Sequence, residues 1–147
     1  VAAWYLKASQ FIVNTTIKVA FVSTNSITQG EQVCTLWQYL IHKYKIYIHF
    51  AHRTFMWNSE ASGKAHVHCV IIGFANFDTN NKRIFDYHDI KGEPHEIKVK
   101  HINPYLIDYS NIFIEQRKDP LFTNVKMHFG NQPRKKILYM AVICIPI

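Results

Sequence analysis

The chain has no run of five or more Lys or Arg, no apolar stretch long enough to cross a bilayer and no Gly-rich segment among its five glycines. The first absence excludes a solvated polybasic arm, because the positive charge is dispersed. The longest apolar run, residues 137–147, contains Pro146 and falls short of the ~20 residues that a membrane-spanning helix requires. No signal-peptide pattern opens the chain, so a cytoplasmic setting is expected, without membrane insertion or secretion. Gly-x-Ser-x-Gly elbows, Cys-x-x-Cys pairs and Gly-rich phosphate loops do not occur, which removes common hydrolase, zinc and nucleotide-loop signatures. Cys34, Cys69 and Cys144 are odd in number and far apart, so reduced, buried thiols are expected instead of a disulfide framework. Internal repeats and low-complexity tracts are also missing.

Hydrophobic residues make up 48% of the 147 and charged residues 18%, a balance that favours a folded domain over a disordered segment. Lys and Arg outnumber Asp and Glu 17 to 10, for a formal charge of +7 and a pI near 9.4. Such an excess favours polyanionic partners through counterion release, yet an ordinary basic protein carries the same surface. Val1-Ala2-Ala3-Trp4-Tyr5-Leu6-Lys7-Ala8 begins directly in a helix-forming pattern, with no Ser, Thr, Asp or Asn ahead of it to satisfy the first backbone donors. The expectation is a piece of a larger protein.

Residues 1–13, rich in Ala, Leu and aromatics, predict a helix. Residues 17–23 (IKVAFVS) read as a strand buried on both faces, the pattern of a parallel central strand. Thr28-Gln29-Gly30-Glu31 has capping-box spacing. After it Val33, Leu36, Trp37, Leu40, Ile41 and Tyr44 recur at three and four residues, predicting an amphipathic helix over 29–44. Strands are predicted at 46–51 and 65–74, joined by a loop short enough for an antiparallel hairpin, with shorter ones at 82–87, 96–101 and 111–115. The organisation is α/β, and its weakest joint falls around 77–82.

Phe55 to Phe74 is the most informative stretch. Phe55 and Trp57 are followed by Gly63-Lys64 and then a strongly apolar run. In a basic protein this suits a loop that stacks a nucleobase at the mouth of a sheet, with a cationic lip for its phosphate; an ordinary hairpin looks alike. Thr24-Asn25-Ser26 follow the first strand, at the carboxyl end where open α/β sheets bind ligands, although any strand-to-helix turn is polar. His66 and His68 flank Val67 and so face one side of a strand, the arrangement of the His-hydrophobe-His metal strand of rolling-circle nucleases. That alternative, a metal-dependent single-strand nuclease, needs a nucleophilic Tyr. Tyr105 and Tyr109 are the candidates, neither on a helical pattern, and spacing places no further ligand. Paired strand histidines are more often packed or solvent-facing than ligating, so no metal is expected. Asn103-Pro104-Tyr105 has a single Pro and no apolar strand before it, and reads as a turn and not as the Asn-Pro-Pro-Tyr motif of amino methyltransferases.

Three blocks, Val22 to Val33, Phe50 to Trp57 and Gly63 to Phe74, together resemble the MmeI/YeeA-like adenine-N6 DNA methyltransferases of restriction-modification systems, and the resemblance extends from Val1 to about Pro133. It implies a partial class I, Rossmann-like methyltransferase sheet ending in an antiparallel hairpin, followed by a small irregular β-containing region. Residues 1–76 would be the C-terminal half of the catalytic domain. Residues 77–147 would begin the target-recognition region, with an atypical tail from Arg134. Residues 17–23, 46–51 and 65–74 correspond to the fifth, sixth and seventh strands of that sheet.

The implied chemistry is methyl transfer from S-adenosylmethionine to a flipped-out adenine. By position, Phe55 and Trp57 on a base-facing loop are the base-stacking residues, Thr24 and Asn25 the pocket wall, and Arg53 and Lys64 the phosphate contacts. Unstacking a base costs a few kcal/mol, and an aromatic platform returns about 1–3 kcal/mol. The family's Gly-containing cofactor strand and Asn-Pro-Pro-aromatic motif precede the region matched by Val1 and occur nowhere in the chain. The resemblance therefore implies a fragment without catalytic residues, with no tight hold on S-adenosylmethionine and inactive alone. DNA is its expected partner, together with the missing N-terminal half, paired to the edge of residues 17–23. A non-catalytic DNA-binding remnant is the remaining alternative.

Overall fold

Ala2–Phe11 contains no Gly, Pro or β-branched residue and forms helix α1. It ends ahead of Asn14, which takes the left-handed φ of 57° that Asn tolerates better than most residues. Its inward side carries Tyr5, Ser9 and Ile12, all fully buried. The computed structural model to which α1 belongs describes residues 1–58 and 66–115; Lys64, Cys144 and the atypical tail lie outside the described residues.

Strand β1 (Lys18–Thr24) follows, then a 3₁₀ turn (Asn25–Thr28) and a helical stretch in three pieces: α2 (Gly30–Gln32), a π-helical segment (Val33–Gln38) and α3 (Tyr39–Tyr44). The predicted apolar stripe holds: Val33, Trp37 and Leu40 are buried, with Leu36, Ile41 and Tyr44 packed against them. The predicted capping box does not form. Thr28 closes the 3₁₀ turn instead, its hydroxyl donating to the Asn25 carbonyl at 2.8 Å, and Gln29 stands at the N-cap without a side-chain bond.

The remaining strands are β2 (Tyr47–Asn58), β3 (His66–Ala75), β4 (Lys82–Asp86) and β5 (His95–Val99). They build a mixed sheet of order β1-β3-β2-β4-β5. Strand β3 is antiparallel to both β1 and β2, β4 runs parallel to β2, and β5 is antiparallel to β4. Two expectations are corrected here. Residues 17–23 do not form a central, doubly buried strand: β1 is an edge strand whose pairing within the described residues is antiparallel, and its burial alternates residue by residue. Residues 111–115 form no strand; this irregular segment lies along the helix, where the Cys34 thiol donates to the Ile114 carbonyl at 2.9 Å. Cys34 is accordingly only half-buried, whereas Cys69 is buried, and both are free thiols.

Cross-strand partners point to the same side of a sheet, so the register assigns two faces. One face carries the rows Phe21-Ile72-Ala51-Ile84-Ile97 and Val19-Phe74-Ile48. Both helices pack on it: the Tyr5 ring lies 5.0 Å from Phe21, 5.5 Å from Phe74 and 5.4 Å from Trp37. The Tyr5 hydroxyl shares a hydrogen bond of 2.8 Å with Ser23, and burial pushes its pKa up to about 12. The other face carries Ala20-Gly73-Phe50-Arg83, Val22-Ile71-His52-Phe85 and Thr24-Cys69-Phe55, and no described helix covers it. Gly73 sits beneath the Phe50 ring, close enough that a Cβ there would fall 2.1 Å from Phe50 Cε1.

Candidate functional site

The third of those rows brings separate parts of the chain together. Thr24 is opposite Cys69 on β3, and Cys69 is opposite Phe55 on β2, so the predicted pocket wall and a predicted stacking ring share one end of the sheet. Two strand ends converge there because β3 lies between them. Thr24 is exposed, and its hydroxyl is 3.0 Å from that of Ser26. Asn25 opens the 3₁₀ turn, which is pinned from behind by the Trp37 indole N–H donating to the Ile27 carbonyl at 3.0 Å.

Phe55 and Trp57 lie on β2 and not on a loop, a correction with a clear cause. The ladder to β3 continues through Asn58 opposite His66, and aromatic residues favour such a pleated position. A register shift between His52 and Phe55 gives β2 one residue more than β3. Neither ring is in the core: Phe55 is half-buried and Trp57 is 51% exposed. Their centroids are 6.4 Å apart at 52°.

Three aromatic groups that sequence reasoning passed over complete this end. His52 stacks on Phe85 at 4.3 Å and 10°. Its Nδ1 is 2.8 Å from the Tyr87 hydroxyl, and the Tyr87 ring stacks on Phe55 at 5.4 Å and 28°. Burial lowers the His52 pKa from its usual value. Burial also raises that of Tyr87, with help from the negative charge of Glu93. Both shifts favour the neutral form of the pair. The segment after β4 is tied in by its backbone, Met56 N–H donating to the Ile90 carbonyl at 2.8 Å. The signal that finds these groups is the parallel pairing of β4 with β2, which hydrophobic periodicity does not carry.

Arg53 points elsewhere. Its Nε donates to the Leu106 carbonyl at 3.0 Å, and Nη1 pairs with Asp86 at 3.2 Å. The carbonyl is presented by a turn in which Leu106 has a φ of 58° and the buried Asn103 accepts from the N–H groups of Tyr105 and Ile107. Asn103-Pro104-Tyr105 is therefore a turn, as its sequence suggests. Two of the five guanidinium donors are engaged there. Lys64 lies outside the described residues.

His68 is exposed, opposite Met56. Among the described residues no group of three or more His, Cys, Asp or Glu side chains is placed to hold a metal ion. Tyr109 is exposed on an irregular segment, and the Tyr105 hydroxyl accepts from the Ile114 N–H. An open groove of about 350 Å³, lined by Cys34, Thr35, Gln38, Tyr39, His42 and Lys43, contains none of the predicted site residues. No helix among the described residues is long and apolar enough to cross a membrane.

Residues 1–86 match the family described as MmeI, DNA-methyltransferase domain. DNA methyltransferase A of Bacillus subtilis (strain 168) is 42% identical over 134 residues, which is 90% of this chain and 14% of that protein. The solved structure of the Type IIL restriction-modification enzyme MmeI in complex with DNA matches 81% of this chain, at 56% identity and a TM-score of 0.78. This chain covers 16% of that one. These similarities do not favour the nuclease alternative.

Proposed function

The chain belongs to the MmeI DNA-methyltransferase family, and from that premise we propose that it supplies the base-receiving end of an S-adenosylmethionine-dependent adenine-N6 DNA methyltransferase of a restriction-modification system. The observation that carries this reading is the row Thr24-Cys69-Phe55, which brings Thr24 and Phe55 to one end of the sheet. In this reading the target adenine leaves the duplex and rests against Phe55 or Trp57, with Thr24 and Asn25 beside it. Lys64 meets a flanking phosphate, and Arg53, turned toward Leu106 and Asp86, reaches one only with the donors that are not engaged among the described residues. The sheet is the Rossmann-like one of the family, with β1, β2 and β3 as its fifth, sixth and seventh strands. Residues 1–76 serve the catalytic fold and residues 77–147 begin the region that reads the target sequence. The strand pairing of β2 with β4 joins the two parts. The setting is cytoplasmic.

S-adenosylmethionine does not fit the described residues. A cofactor approaching the backbone closely needs glycine-lined strand ends, but Gly73, the one glycine within a described strand, is covered by the Phe50 ring. The chain contains no Asn-Pro-Pro-aromatic tetrapeptide to polarise the adenine amine. In this reading residues 1–147 are inactive alone, and the N-terminal half of the family's catalytic domain completes the site. The edge of β1, unpaired among the described residues, supports this partner, as do Trp4 and Phe11 on α1, exposed at 66% and 74%.

Labelled S-adenosylmethionine and DNA incubated with the purified chain should give no methylated product; turnover without an added partner refutes inactivity. Substituting Ala for Phe55 or Trp57 should weaken binding to duplex with an abasic or mismatched site more than to intact duplex. Equal losses on both DNAs overturn the stacking role.

A further inference from the structure

The sequence leaves Phe55 and Trp57 equivalent, but the structure separates them. One face of the Phe55 ring is taken by Tyr87, stacked at 5.4 Å. Trp57 is 51% exposed at the end of the same aromatic series and has no stacked partner among the described residues. The series has a fixed foot: Phe85 on β4 stacks on His52, and the His52 Nδ1 is hydrogen-bonded to the Tyr87 hydroxyl. The segment that carries Tyr87 is tied to β2 by its backbone, since three residues on the Ile90 carbonyl accepts from Met56, between the two rings in sequence. A hydrogen bond to the hydroxyl and a stack on the ring leave Tyr87 little rotational freedom, and its ring limits that of Phe55.

We propose that Tyr87, locked by His52, is a positioning residue that backs Phe55 and thereby makes Trp57 the ring that receives an unpaired purine. The inference rests on the base-stacking reading and assigns the two rings different work within it. Trp57 is the contact, and Phe55 is its support. A ring held in place loses less entropy when a base settles on it, and such preorganisation raises affinity without any new contact.

The test uses the full chain and two DNA probes, a duplex with one bulged 2-aminopurine and the same duplex fully paired. Stacking of the unpaired base is read from its fluorescence, and affinity for each probe from a titration. Wild type should prefer the bulged probe and quench it. Trp57→Ala should remove the quenching and lower that preference by about tenfold or more, as expected for one base–aromatic stack. Tyr87→Phe, which keeps the ring and loses only the hydroxyl, should lower the preference several-fold, with at most a small loss of thermal stability and no change in affinity for the paired duplex. His52→Leu should reproduce it, and His52→Asn, whose amide can replace Nδ1 as the hydrogen-bond partner, should restore the preference. Full preference in Tyr87→Phe, or dependence on Phe55 but not on Trp57, overturns the assignment and leaves base stacking intact. Wild type with no preference for the bulged probe, or a preference surviving both Phe55→Ala and Trp57→Ala, overturns base stacking and the assignment with it.

Discussion

The two faces of the sheet differ in what their apolar residues do. On the helix-covered face Ile72, Phe74, Ala51 and Ile84 are buried among Tyr5, Trp37 and Leu40. On the other, Val22 is 52% exposed and Ile71, Phe50, His52, Phe55 and Phe85 are half-buried. Interior packing at crystal-like density makes the first face intolerant of change. The second holds its aromatic groups by pairwise stacks and single hydrogen bonds, which leaves one ring open to a visitor. If the proposed base stacking holds, stability and recognition fall on opposite sides of the same strands.

The largest effect should come from breaking the covered face. Trp37→Ala removes a fully buried indole and the bond to the Ile27 carbonyl, and urea titration should show a loss of about 3–5 kcal/mol. Gly73→Ala forces the Phe50 ring off the open face from a 2.1 Å clash; a loss of about 1–3 kcal/mol is expected by the same measurement. Tyr5→Phe strands the buried Ser23 hydroxyl, for about 1–2 kcal/mol, and adding Ser23→Ala should recover part of it. Trp57→Ala should sharpen the contrast from the other side. Its stability should stay within about 0.5 kcal/mol of wild type, as for an exposed position, while binding to the bulged probe falls.

The smallest effect concerns pH. Burial lowers the pKa of both His49 and His52 below the ordinary value of 6.5. The unfolded chain therefore binds protons first as pH falls, so stability is full above about 6.5 and declines below it, through the folded values. A melting series from neutral to mildly acid pH should show this decline and a shallower one in His49→Gln. An unchanged slope would remove His49 from the account.

Much of this arrangement was legible in the sequence. The 3.6-residue stripe from Val33 to Tyr44 and the apolar run of β3 announce themselves because burial on one side demands that spacing. The edge position of β1 was hidden because Ala20 and Val22, on its uncovered side, are as apolar as Val19 and Phe21 on the covered one, so exposure left no polar mark. The length of β2 was hidden because pairing with β3 carries it past Ala51, a tertiary effect outside local propensity. Phe55 and Trp57 could be chosen from sequence for their chemistry, but Tyr87 could not. It is 32 residues from Phe55 in the chain and reaches it only through the β2–β4 pairing.

The extra residue of β2 between His52 and Phe55 has a consequence of its own. Side chains alternate across a strand, so residues three apart belong on opposite sides, yet His52 and Phe55 look the same way. One surplus amide has reversed the parity of everything beyond it. A second shift lies between Ile48 and Phe50, so deleting Thr54 would restore alternation only beyond His52, turning Phe55 and Trp57 to the opposite face and inverting the far end of β2 while hardly altering its composition.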